Sequence, residues 1–253
     1  MISLDGKNII VTGAAQGIGH SIAELVIELG GSATIIDRNH EQLDAVAAKL
    51  GDRALPLVGN VADPDFITAA MTRSIERFGK VDGLVNNAGI TRPAMIAKMS
   101  LDEWNQVIEI NLTAPFLWLQ AVGQHMIERA KAGEAVPGAI VNISSDAGKS
   151  GSIGQINYAA SKAGILAQTM SAAREWGKYN IRVNSVYFGM VETPMTETVR
   201  GDKFRDTYLA RIPLGRFSTP QEVAKPVCFL LSEAASFVTG HHLGVNGGMF
   251  MAA

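Results

Sequence analysis

Short runs of apolar, largely β-branched residues recur along the chain at 8–11, 33–36, 54–58, 83–85, 139–143, 182–186 and 243–245. Between them lie longer stretches whose apolar positions return every three or four residues, at 17–29, 41–49, 65–78, 102–129, 157–177 and 221–231. A continuously apolar strand has no face to give to water, so it must be covered on both sides. Strands of that kind alternating with amphipathic helices predict βαβ units and a parallel sheet. The expected fold class is therefore α/β, a doubly wound parallel sheet of about seven strands flanked by helices on both faces. The polar stretch 131–137 is too short to separate domains, and no repeat or low-complexity run interrupts the pattern. A single domain over 1–253 is expected.

Charge and composition then remove several classes of function. The 22 Lys and Arg against 24 Asp and Glu leave a formal net charge of -2, so no basic field exists to gather a nucleic acid. At 47% hydrophobic residues the chain has too much to bury to be disordered. Its one cysteine, Cys228, allows no intramolecular disulfide and fits a reducing compartment. No apolar run approaches the roughly 20 residues that span a bilayer. The N-terminus Met1-Ile2-Ser3-Leu4-Asp5-Gly6-Lys7 puts an acid and a glycine where a signal peptide would be apolar. The expectation is a soluble, cytoplasmic protein without nucleic-acid or membrane partners.

The first strand runs into Thr12-Gly13-Ala14-Ala15-Gln16-Gly17-Ile18-Gly19, followed by a helix. Three glycines allow a tight turn and a close approach to a ligand, and the helix N-terminus beyond offers free N–H groups to a pyrophosphate. A packing turn is the plain alternative. The second strand ends at Asp37, where a carboxylate can accept hydrogen bonds from an adenosine ribose and repel the 2′-phosphate of NADP. Arg38 beside it could instead pair with that phosphate. NAD(H) is favoured and NADP(H) is the alternative, as is an ordinary solvated role for Asp37.

In the predicted helix from 157, Tyr158 and Lys162 are four residues apart and share a face. A phenol is a poor base at neutral pH, and a neighbouring ammonium is expected to favour its phenolate. The buried strand 139–143 ends in Ser144 and Ser145, at the strand end where open α/β sheets place ligands. The alternative is that these serines simply begin a loop.

Together these pieces resemble the short-chain dehydrogenase/reductase family, whose Rossmann-type domain binds a dinucleotide and carries the catalytic residues. Gly13, Gln16, Gly17, Ile18 and Gly19 fall in its cofactor loop, and Asn86-Asn87-Ala88-Gly89 resembles its adenosine-side motif. Asn60 and Val61 stand where relatives usually have Asp-Val beside the adenine. Asn111, Ser145, Tyr158 and Lys162 match its catalytic asparagine, serine, tyrosine and lysine, while Val191 and Thr193 would contact the nicotinamide and phosphate side. Relatives usually have Pro-Gly after the strand 182–186, where this chain has Phe188-Gly189. Losing the proline is expected to loosen that turn and to add an aromatic surface.

The resemblance implies hydride transfer between a nicotinamide and a carbonyl or secondary alcohol. Tyr158 would move the proton, and Ser145 would hydrogen-bond the substrate oxygen. Lys162 would lower the Tyr158 pKa and bind the ribose, and Asn111 would hold a water on the proton path. For Asn111 a helix-bending polar residue is the plain alternative. The segments 212–217 and 244–251, with Gly154-Gln155-Ile156, look most like the 3-oxoacyl-[acyl-carrier-protein] reductase branch. A 3-oxoacyl or 3-hydroxyacyl thioester is thus the expected substrate, with acyl carrier protein a candidate partner and a homotetramer the implied assembly. A small secondary alcohol, a sugar or a hydroxysteroid-like substrate, and a non-catalytic NAD-sensing protein, are the alternatives. Segment 190–212 reads as a polar helical lid. Arg129, Lys131 and Arg174 read as solvated helix charges rather than docking contacts, and His241-His242, without acidic or thiol partners, as surface residues with no metal.

Overall fold

Seven parallel strands form one sheet in the order β3-β2-β1-β4-β5-β6-β7. They are β1 (Asn8–Thr12), β2 (Ser32–Asp37), β3 (Ala54–Val58), β4 (Gly83–Asn86), β5 (Gly138–Ser145), β6 (Ile181–Phe188) and β7 (His242–Val245). The longer helices are α1 (Gly17–Glu28), α2 (His40–Leu50), α3 (Pro64–Phe78), α4 (Leu101–Ile108), α5 (Ala114–Lys131), α7 (Ile156–Trp176), α9 (Asp202–Leu209) and α10 (Pro220–Leu231). Single turns form α6 (Ala147–Ser150) and α8 (Glu197–Arg200). This computed structural model describes residues 2–251, so Met1, Ala252 and Ala253 of the expected 1–253 span lie outside the described residues.

The strands are largely apolar on both faces because alternate side chains serve opposite layers. Ile9, Val11, Ile35 and Val141 pack towards α1 and α10, whereas Ile10, Ile36, Leu84 and Ile140 pack towards α3, α5 and α7. Polar side chains inside the sheet are paired. Asn86 Nδ2 donates to Asn142 Oδ1 at 2.9 Å, and Asn142 Nδ2 donates to Thr169 of α7 at 3.0 Å. That chain of amides fixes α7 against the centre of the sheet.

The single helix expected over 102–129 is two helices joined by a π-turn, Glu109–Thr113. Pro115 supplies the reason. It has no N–H to give the Asn111 carbonyl four residues earlier, and its ring crowds that carbonyl, so the coil widens. The chain leaves β1 to one side, builds β2 and β3, then returns to place β4 on the other side of β1. This reversal opens a crevice at the C-terminal ends of β1 and β4.

Candidate active site

A cleft of about 600 Å³ occupies that crevice and runs across the ends of β2, β1, β4, β5 and β6. Its centre is the turn after β1. Gly13 and Gly17 adopt φ of +67° and +56°, which disfavours any residue with a Cβ. A Cβ on Gly19 would collide with the Gly13 carbonyl, so Gly19 serves the packing of the loop and does not line the cleft. Thr12 Oγ1 accepts from the N–H groups of Asn87 and Ala88, both at 3.0 Å, and Asn87 Nδ2 returns a bond to the Thr12 carbonyl at 2.9 Å. The ends of β1 and β4 are thereby locked together. Gln16 makes no side-chain cap to α1, and no acidic residue occupies the first turn. The leading N–H groups of α1 therefore face the cleft at the positive end of the helix dipole, which suits a pyrophosphate. The residues present fit a dinucleotide.

At one end of the cleft lie Asp37, Arg38, Asn60 and Val61. The Asp37 carboxylate is held by two backbone N–H groups, Ala15 to Oδ2 at 3.2 Å and Asn39 to Oδ1 at 3.0 Å. Arg38 is exposed and, among the described residues, forms no ion pair with it. Asn60 uses its amide oxygen to accept from Ala62 N–H at 3.1 Å.

At the other end Ser145, Tyr158 and Lys162 converge from β5 and α7, with Gly89, Val191 and Thr193 around them. Two side chains set this approach. Ser144 Oγ donates to the Lys162 carbonyl at 2.8 Å, tying α7 to β5. Buried Asn157 donates to the carbonyls of Arg92 and Glu103 at 3.0 and 3.1 Å and accepts from Tyr158 N–H at 2.7 Å, fixing the turn that presents Tyr158. Lys162 is only 4% exposed, and its Nζ donates to the Ile143 carbonyl at 2.8 Å. Burial brings its pKa down to about 8.

Burial also pushes the Tyr158 phenol above its ordinary value, with the Ser145 hydroxyl pulling the other way. The expected lowering of Tyr158 by Lys162 is thus overridden here. The ammonium stands 5.7 Å from the Tyr158 ring centre and bonds to the backbone instead.

Asn111 is fully buried in the π-turn behind the cleft and does not line it. Its Oδ1 accepts from Ile90 N–H at 2.8 Å, while Nδ2 donates to the Ile90 carbonyl at 2.9 Å and to Ser161 at 3.4 Å. The side-chain amide holds the 89–90 loop in place. A Cβ on Gly89 would come within 3.4 Å of Asn111 Oδ1 and 3.7 Å of Lys162 Nζ, so the three residues are packed together.

Phe188 differs from its expected role. It extends β6 by pairing with Ser145 on one side and Val245 on the other, and it is 4% exposed. Ladder hydrogen bonds, among them Asp146 N–H to the Phe188 carbonyl at 2.9 Å, hold the turn where a proline would otherwise stiffen it. Segment 190–212 carries α8 and α9, and its start is stitched to Ser218 by Glu192 N–H to the Ser218 carbonyl and Ser218 N–H to the Met190 carbonyl, at 2.9 and 3.1 Å. Arg200 braces it, donating to the Thr193 carbonyl at 3.1 Å. Arg129 is not a solvated charge, for it pairs with Asp82 and Glu134 at 2.9 and 2.7 Å. Nor is His242 a surface residue, since it is half-buried with Nδ1 on Ser185 at 2.7 Å. Among the described residues no acidic, His and Cys groups cluster to hold a metal, and no helix is long and apolar enough to cross a membrane.

Residues 13–250 match the family described as Enoyl-(Acyl carrier protein) reductase. The 3-oxoacyl-[acyl-carrier-protein] reductase FabG of Thermotoga maritima is 43% identical over 97% of this chain and 98% of its own length. The reductase of the same name from Vibrio cholerae is 40% identical over 99% of this chain and 100% of its own. The crystal structure of a short-chain dehydrogenase/reductase from Brucella melitensis, named SDR:Glucose/ribitol dehydrogenase, superposes with a TM-score of 0.91 at 34% identity, covering 98% of each chain. These names differ in substrate and agree in kind. With full-length matches and this cleft at the end of a seven-stranded parallel sheet, the chain belongs to the short-chain dehydrogenase/reductase family of nicotinamide-dependent oxidoreductases.

Proposed function

We propose that the protein interconverts a 3-oxoacyl and a 3-hydroxyacyl thioester, using NAD(H) in preference to NADP(H). The observation that carries the reading is the convergence of the Ser145 and Tyr158 hydroxyls over buried Lys162, at the far end of the cleft that begins with the uncapped N-terminus of α1. When bound, the nicotinamide supplies or accepts the hydride. The loop of Gly13, Gln16, Gly17 and Ile18 would hold its pyrophosphate. Asp37 would hold the adenosine ribose, with Asn60, Val61, Asn87 and Ala88 beside the adenosine, and Val191 and Thr193 would hold the nicotinamide half.

Tyr158, a phenol that burial holds above its ordinary pKa, donates its proton to the substrate oxygen during reduction. In the reverse direction it accepts that proton. The Ser145 hydroxyl donates to the same oxygen as charge develops there. Lys162 holds positive charge beneath the phenol, and Asn111 keeps the loop at Gly89 and Ile90 in place. The segment 190–212 serves as the lid over the substrate.

The acyl thioester is favoured by the names of the two bacterial reductases, which match nearly the whole chain. With Arg129 ion-paired, exposed Lys131 and Arg174 are the two of these three cations left to meet an acidic carrier protein. Exposed Phe116 and Met170, on the outer sides of α5 and α7, support assembly as a homotetramer. The single unpaired Cys228 fits a cytoplasmic location. A sugar or other secondary alcohol is the second reading, favoured by the name of the Brucella melitensis dehydrogenase. Initial rates with NAD, NADP and a panel of 3-hydroxyacyl thioesters, sugars and plain secondary alcohols test the proposal. A specificity constant for a sugar above that for every thioester would replace the first reading with the second.

A further inference from the structure

Asp146 follows Ser145 directly and is 8% exposed. Its Oδ1 accepts a hydrogen bond of 2.9 Å from Asn246 Nδ2. Its Oδ2 is enclosed and receives no hydrogen bond. That oxygen lies against Gly189, where an added Cβ would come within 3.2 Å of it. Gly189 in turn lines the cleft together with Ser145 and Phe188. The backbone of Asp146 is fixed by its N–H bond to the Phe188 carbonyl. The chain thus holds a carboxyl group with one bare oxygen directly behind the wall of the cleft, at the end where the hydroxyls converge.

A buried carboxylate lacking a donor on one oxygen is disfavoured, and burial pushes the Asp146 pKa up to about 6. The Asn246 bond and the charge of Arg211 pull it the other way. The remaining charged and titratable groups around it are few. Lys149 of α6 lies 5.4 Å from the centre of the Tyr187 ring. Tyr187 of β6 is itself raised by burial and by Asp146. His242 of β7 is lowered by burial, Lys149 and His241. At neutral pH Asp146 therefore carries a negative charge that no ion pair neutralises among the described residues.

We propose that Asp146 makes the cleft favour the oxidised, cationic nicotinamide over the neutral reduced one. This selectivity rests on the nicotinamide reading given above. The two redox forms share every other group, so contacts to the adenosine and pyrophosphate cancel in the ratio of their affinities. A fixed negative charge behind Gly189 adds attraction to the cationic form alone, through a medium less screening than water. The Lys162 ammonium opposes it, but with a pKa of about 8 that group stays charged below neutrality and does not change where Asp146 titrates.

The test is equilibrium binding of NAD and NADH, by calorimetry or by quenching of protein fluorescence, from about pH 5 to pH 7, where Asp146 titrates and Lys162 does not. In the wild-type protein the affinity for NAD relative to NADH is expected to rise as pH passes about 6, by about threefold or more. In Asp146→Asn, which keeps an oxygen for Asn246 to bond, the ratio should be lower and flat. His242 lies below its ordinary 6.5 and also loses charge in this interval, so the rise should persist in His242→Gln, and its loss there would overturn the inference even if Asp146→Asn misfolds. A flat ratio in the wild-type protein, or the same rise in Asp146→Asn, would overturn the inference. Failure of the wild-type protein to bind either form would instead overturn the nicotinamide reading, and this inference with it.

Discussion

Lys162 donates to the carbonyl of Ile143 at 2.8 Å, and that bond holds its ammonium under the ring of Tyr158, 5.7 Å from the ring centre. Strand β5 therefore sets the position of the charge, while α7 carries both the charge and the phenol. Neither residue is free to move without the other, because Ser144 clamps the same turn of α7 through the Lys162 carbonyl.

Tyr158→Phe removes the only proton the mechanism moves while keeping the ring. Turnover in steady-state assays should fall by about 10²-fold or more, the usual scale for a lost general acid–base group. Cofactor affinity should stay near that of the wild-type protein. Near-normal turnover in the folded variant would take Tyr158 out of the mechanism.

The raised Tyr158 pKa gives the two directions opposite responses to pH. Carbonyl reduction uses the protonated phenol, so its kcat/KM should be level through neutrality and fall only on the alkaline side. Alcohol oxidation uses the phenolate and should climb from neutrality into the alkaline range. Rate profiles in both directions check this. An oxidation rate already at its plateau at neutral pH would contradict it.

Lys162 also leaves a signature in stability. Its folded pKa of about 8 lies below the ordinary 10.5, so between these values the unfolded chain binds a proton that the folded one does not. Stability must then rise with pH across that interval, and the cost of burying the ammonium is fully present below it. Denaturant unfolding of the protein stripped of cofactor should show this rise relative to Lys162→Met, which lacks the titrating group.

Asp37→Ser tests the choice of cofactor. A like-charge pair 4 Å apart is repelled by about 4 kcal/mol at an effective dielectric of 20, and solvent screening reduces that. A preference for NAD over NADP of roughly 10²-fold is expected, and the variant should lose most of it by binding NADP better. A wild-type specificity constant higher with NADPH would show that Arg38 governs the site.

Gly19→Ala places a methyl group against the Gly13 carbonyl and the Asn87 amide. Overpacking of this kind costs about 1–3 kcal/mol. The variant should melt earlier and bind cofactor more weakly, although Gly19 does not itself face the cleft.

The strands were legible because a parallel strand covered on both faces is apolar on both, as consecutive Ile9, Ile10 and Val11 are. Glycine spacing and the Tyr158–Lys162 interval located the cleft, since backbone approach and helix geometry act over a few residues. What stayed hidden depends on distant partners. Pro115 lay inside the expected helix 102–129 and was a readable sign of the π-turn at Asn111. Nothing local, however, shows that Arg129 will meet Asp82, that His242 will meet Ser185, or that Phe188 will be drawn into the ladder beside Val245. Asp146 likewise carries no signal of its own along the chain, and only its contacts with Asn246 and Gly189 isolate one of its oxygens.

The most direct measurement follows the hydride itself. The protein is given NADH deuterated at C4 together with a 3-oxoacyl thioester, and the product is analysed by mass spectrometry. Deuterium should appear on the carbinol carbon of a 3-hydroxyacyl thioester with the wild-type protein and be nearly absent with Tyr158→Phe. An unchanged 3-oxoacyl thioester under conditions where an enoyl thioester or a sugar is turned over would contradict the proposed reaction.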